Sequence, residues 1–205
     1  MKISHRELED CRQRPQSWAQ ERLSASSTWR SFGYNQALMN AIHKYHRTGD
    51  DADFARQHLE SLIERNFTND DRIGEITEKL DAYVSWHQTS GVVVADTNIR
   101  LSYSSGGYLE LGGLVSRLDL TDAGYRAVIL GLPRPNWRRE LRMPLVQEAI
   151  AIKYGRPVGN IEVGVQALDG SNLATTSFSM RAISAAKSAF RELGSLVRPL
   201  LEFNQ

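Results

Sequence analysis

The residues best suited to chemistry cluster between Pro133 and Arg142. Arg134, Arg138, Arg139 and Arg142 face a single acid, Glu140, with Trp137 among them. Guanidinium forks match phosphate oxygens in pairs, and an indole stacks on a base or on an arginine. Arginines at a helix start oppose the macrodipole, which favours an anion there. The expectation is a nucleic-acid interface of Arg134, Trp137, Arg138, Arg139 and Arg142. Two other readings fit the same residues: a face for a protein partner, or a solvated helix start with Trp137 packed in the core.

Other reactive residue types are sparse. Asp119 and Asp122 flank a turn, where turn chemistry and hydrogen bonding compete with metal binding. His43 and His46 are three apart on one helical face, a spacing that can hold a metal, but no HExxH or cysteine pattern accompanies them. No metal and no cofactor is assigned. Cys11 lies beside Arg12 and Arg14 without a positioned base, so it reads as a core thiol. Gly106-Gly107 and Gly112-Gly113 lack the Gly-Lys-Ser/Thr ending of a phosphate loop and read as turn and bulge glycines.

These residues need elements to position them. Residues 1–90 read as helical. Ser4 and Glu7 have capping-box spacing, and Pro15 bends or ends the first segment. Further helices are expected over Phe32–Tyr45, from Asp50-Asp51, and from Asn69 and Asp70 through His87. At Gly91 the pattern turns to β. Ile99, Leu101 and Tyr103 alternate with polar residues, Ser104–Gly107 is a hairpin turn, and Tyr108–Leu120 forms the return strand. Asp122-Ala123-Gly124 turns into a central strand, Tyr125–Leu132. A helix over Arg138–Tyr154, a strand over Gly159–Leu168, a short strand near Phe178 and an amphipathic helix from Ser179 complete the chain.

At 205 residues, 41% apolar and 24% charged, the chain is one globular domain with a proper core. That composition excludes a disordered chain, a collagen and a coiled-coil rod. Twenty-five basic against 24 acidic residues exclude a globally basic nucleic-acid coat, though not a local patch. A single cysteine precludes an internal disulfide and any four-cysteine centre. The N-terminus turns charged at once, and no apolar run approaches the ~20 residues of a spanning helix. A soluble, cytoplasmic protein without a membrane partner is expected.

Three stretches carry a resemblance. Gly112-Gly113-Leu114-Val115-Ser116-Arg117-Leu118-Asp119-Leu120 reads as a strand ending in an acid. Tyr125–Leu132 follows, and then Gln147-Glu148-Ala149-Ile150-Ala151 within a helix. This block resembles the core of the PD-(D/E)XK nuclease superfamily, in its RecB-like exonuclease branch. Cys11 to Trp18 and the Ala41-Ile42-His43 helix are similar to that branch's N-terminal boxes. The resemblance implies an α/β fold with a mixed sheet: a restriction-endonuclease-like core over residues 91–205 with a helical N-terminal part. It also implies that Asp119 is the metal-binding acid or its neighbour, and that Gln147 belongs to the helix motif.

The departures from the family decide the expected function. Ile129 stands at the acidic position, Gly131 at the lysine and Ala151 at the tyrosine. Mg²⁺ wants carboxylate oxygens, and the lysine orients water and offsets phosphate charge. Isoleucine and glycine do neither. The expectation is a catalytically inactive subunit, with Asp119 and Gln147 as vestiges, that binds nucleic acid or docks onto a helicase, ATPase or nuclease. That places it in a microbial DNA-processing or defence complex. An active nuclease with a migrated site of Asp119, Glu148 and Lys153 is the enzyme alternative, and a structural interaction subunit is the third.

Overall fold

The computed structural model describes residues 1–24, 33–67, 72–131 and 134–202. It shows an α/β fold of seven helices and a mixed six-stranded sheet. The expected positions Phe32, Asn69, Asp70, Leu132 and Pro133 lie outside the described residues.

The chain enters the sheet immediately. Strand β1 (Lys2–Ser4) pairs in parallel with β3 (Glu110–Thr121). The helix expected at Ser4 begins only at Leu8, as α1 (Leu8–Gln13). The capping-box spacing instead closes the strand-to-helix turn: Glu7 Oε2 accepts from the Ser4 N–H, and the Glu7 N–H donates to the Ser4 carbonyl. Pro15 opens α2 (Pro15–Ser24), a position where its missing N–H costs nothing.

Three helices follow. They are α3 (Tyr34–Arg47), α4 (Ala52–Asn66), whose N-cap Asp51 accepts from the Phe54 N–H, and α5 (Ile73–Ser90). Then β2 (Val94–Ser104), β3 and β4 (Gly124–Leu130) run as an antiparallel meander. Helix α6 (Arg142–Lys153) crosses over to β5 (Ile161–Gln166), which lies parallel to β4. Strand β6 (Ala174–Thr176) pairs antiparallel to β5, and α7 (Met180–Glu202) ends the described chain.

Helix α6 starts four residues later than the periodicity suggests. Pro144 is the cause: its ring would strike the carbonyl of residue 140 in a continuous helix. The segment from Trp137 to Arg139 is therefore a separate 3-10 turn, and Glu140 is extended.

The two sheet faces carry two cores, and strand alternation sorts the residues between them. Ala127 and Ile129 of β4 point into a core with α1, α2, α6 and α7. Val128 and Leu130 point into a second core with α3, α4 and α5. The helical N-terminal part is thus divided: β1 joins the sheet, α1 and α2 cover one face, and α3 to α5 the other.

Two glycines are needed for close approach. A Cβ on Gly113 (φ +118°) would lie 2.5 Å from the His5 ring, which fills the notch between β1 and β4 along β3. A Cβ on Gly124 would collide with the Asn160 carbonyl oxygen.

Candidate functional site

Asp119 sits on β3 with Arg117 two residues before it, on the same face. Both side chains are fully buried. Arg117 Nε donates to Asp119 Oδ1 at 2.5 Å and its Nη2 to Oδ2 at 3.0 Å, a two-pronged pair. The remaining Arg117 nitrogen, Nη1, donates to the Tyr83 hydroxyl at 2.6 Å, and the guanidinium lies 4.7 Å from the Trp86 ring centre. Burial opposes the charge on Arg117. The Tyr83 oxygen and Asp119 more than offset this and hold the group above its ordinary pKa.

The neighbours of Asp119 supply no further acid. Its cross-strand partner is Arg126, which is bonded to Glu162 of β5 at 2.9 Å. Val128 and Leu130 follow on the same face of β4. Ile129, the expected acidic position, points into the opposite core. One residue on a strand reverses the face, so Ile129 and Asp119 lie on opposite sides of the sheet. Mg²⁺ needs several free oxygens, but both oxygens of Asp119 are held by Arg117. These residues do not fit the ion.

The buried network continues beyond Tyr83. His46 Nε2 lies 2.8 Å from the Tyr83 oxygen, and its Nδ1 lies 2.8 Å from Asp50 Oδ1. The Asp50 carboxylate can only accept, so the neutral His46 carries its proton on Nδ1 and donates it to Asp50, while the Tyr83 hydroxyl donates to Nε2. Burial lowers the His46 imidazole to about 4 and raises the Tyr83 phenol to about 12, so both are neutral near pH 7. Tyr45 Oη and His87 Nδ1 are 3.1 Å apart beside them. This convergence of α3, α5 and β3 has one sequence signal: Arg117 and Asp119 at strand period two. The helix-to-helix contacts have none. His43, three residues before His46, is buried, and its Nδ1 has no hydrogen-bond partner among the described residues.

The migrated active site does not assemble. Glu148 accepts from the Tyr103 hydroxyl and pairs with Lys187 at 2.8 Å, in the core on the α6 side. Asp119 faces α5 across the sheet, and Lys153 is exposed at the end of α6. Gln147 is fully buried and works as a clamp. Its amide nitrogen donates to the Val158 and Phe178 carbonyls, and its oxygen accepts from the Phe178 N–H. Burial pushes the Cys11 thiol up to about 12, so it is unreactive.

The arginine stretch divides in two. Trp137 is 4% exposed, and Arg138 covers its ring at 4.6 Å. It packs the core and cannot stack a base, which corrects the expected role. Arg142 is turned inward: its Nε donates to Glu140 at 2.5 Å, and its Nη1 lies 3.4 Å from His5 Nδ1. Arg134, Arg138 and Arg139 face solvent. Arg134 and Arg139 line a cleft of ≈ 380 Å³ against Glu9, Arg12 and Gln13 of α1. Arg12 answers Glu9 at 2.8 Å and Arg142 answers Glu140. Arg134 reaches Glu140 only at 3.9 Å, and Arg139 has no ion pair among the described residues. The cleft therefore keeps surplus positive charge; Arg138 is not part of its lining, and its Nη2 donates to the Thr175 carbonyl of β6 at 3.3 Å. Its contribution from α1 was not visible in the sequence stretch.

No protein-family model matches the chain, and no curated protein matches it. Among the described residues, no helix is long and apolar enough to cross a membrane.

Proposed function

We propose that this protein is a non-cleaving, nucleic-acid-binding subunit with a degenerate PD-(D/E)XK-like core. One observation carries the reading: on the face where the nuclease family builds its metal platform, Asp119 is buried in a two-pronged pair with Arg117. The α5–β2–β3–β4–α6–β5 order, with a meander and a parallel crossover, supports the kinship. Phosphates bind in the cleft between α1 and the loop before α6, on Arg134 and Arg139 with Arg12 beside them, and on the exposed Arg138 next to Arg139 in the chain. The protein acts in the cytoplasm within a DNA-processing or defence assembly, alongside a helicase, ATPase or active nuclease.

The test is charge reversal. Arg134→Glu, Arg138→Glu and Arg139→Glu together remove about three phosphate contacts. Affinity for duplex DNA should fall at least tenfold, and the slope of log K against log salt should flatten by roughly 3. Unchanged affinity and slope would remove the cleft from the reading and favour a protein-docking subunit.

A further inference from the structure

The polar cluster behind Asp119 has a feature that the nucleic-acid reading does not use. His46, Asp50 and His87 each offer a ligand atom, and the three atoms lie within 4.8 Å of one another. The two imidazole rings meet edge-on with centres 4.6 Å apart. His87 is 9% exposed, and among the described residues its Nε2 has no partner at hydrogen-bond geometry, the Val92 backbone interacting with the ring only loosely. A buried polar nitrogen left without a well-placed partner is costly, so this one needs an explanation.

We propose that His46, Asp50 and His87 form a binding site for a divalent transition-metal ion of the Zn²⁺ class. Two imidazoles and one carboxylate suit such an ion, whereas Mg²⁺ wants an all-oxygen shell. Each imidazole already has a phenol on one nitrogen: Tyr83 on His46 Nε2 and Tyr45 on His87 Nδ1. Outer partners of this kind fix the orientation of ligating imidazoles. The ion takes the other nitrogens, His87 Nε2 and His46 Nδ1; to free the latter, the His46 proton shifts from Nδ1 to Nε2, which then donates to the Tyr83 oxygen while the Tyr83 hydroxyl turns away.

The backbone places the carboxylate. Gly49 (φ 75°) and Asp50 (φ 64°) turn left-handed at the end of α3, and the Asp50 N–H donates to the Tyr45 carbonyl. That turn brings Asp50 back over His46. Its side chain is 48% exposed, which leaves a route from solvent. The nearby Arg117 charge is met by Asp119, so no unpaired cation opposes the ion. The ion would tie the end of α3 to the last turns of α5. It lies apart from the arginine cleft, so this site and the proposed function stand or fall separately.

The test uses the full, untagged chain stripped with a chelator. Titration with Zn²⁺ should show one equivalent bound and a raised Tm, with no such effect from Mg²⁺. Co²⁺ should give a visible ligand-field band of a nitrogen–oxygen site. Asp50→Asn and His87→Gln should each lower Zn²⁺ affinity at least tenfold, while His58→Gln, on α4, should leave it unchanged. The Co²⁺ band is read on the wild-type chain, so it decides the matter even if a variant fails to fold. No stoichiometric binding, or binding that survives both substitutions, would overturn the proposal.

Discussion

Arg117 and Asp119 illustrate how a buried charge pair behaves when one member is removed. Both lie fully inside the protein, where an unpaired charge is strongly destabilising. Arg117→Met should cost about 3–5 kcal/mol in urea unfolding, because Asp119 is left without its partner. The double substitution Arg117→Met with Asp119→Leu should cost clearly less than the sum of the singles. Additive costs would mean that the two side chains do not depend on each other. His5 makes a second prediction at this scale. Burial holds its ring at about 4, with Arg142 and Arg6 adding to the effect. The unfolded imidazole takes up a proton near pH 6.5, so below that pH the unfolded state binds more protons than the folded one. Stability should fall as pH drops from 6.5 toward 4, by on the order of 3 kcal/mol for a group shifted this far. His43 is held at about 4 by burial in the same way. A His5→Gln variant should show a shallower acid slope in urea midpoints, and an unchanged slope would contradict the burial argument.

At the scale of elements, the β3–β4 turn is locked to a 3-10 turn, Val158–Asn160, that precedes β5. Gly124 faces the Asn160 carbonyl with no room for a methyl group. Gly124→Ala should destabilise by about 2–4 kcal/mol, combining backbone strain with overpacking. A loss under about 0.5 kcal/mol in thermal or urea unfolding would show that the turn can separate from Asn160. This scale also shows which signals the sequence carried. The alternation through Ile99, Leu101 and Tyr103 marked β2, and the apolar stripe of Ile183, Phe190 and Val197 marked α7, because each buries one face only. Strand β1 is three residues long and lacks any usable alternation, so its place beside β3 was invisible. Trp137 read as a base-stacking residue, because its burial depends on the break that Pro144 imposes. Asp119 stood out, but its role depended on which residues share its face. Tyr83, His46 and His87 meet it only because α3 and α5 pack on that side of the sheet.

At the scale of the whole molecule, a near-neutral chain carries a local surplus of positive charge in the cleft between α1 and the loop before α6. The sheet separates that cleft, on the α1 side, from the buried Asp119 network on the α5 side. The proposed binding surface and the Asp119 network are therefore structurally separate. The most direct measurement is a fluorescence anisotropy titration of the purified protein with labelled single- and double-stranded DNA and RNA at two salt concentrations. The same samples would then be incubated with Mg²⁺ or Mn²⁺ and resolved on a denaturing gel. The account predicts salt-sensitive binding and intact strands under every metal condition. Metal-dependent cleavage that is lost in Asp119→Ala would contradict it.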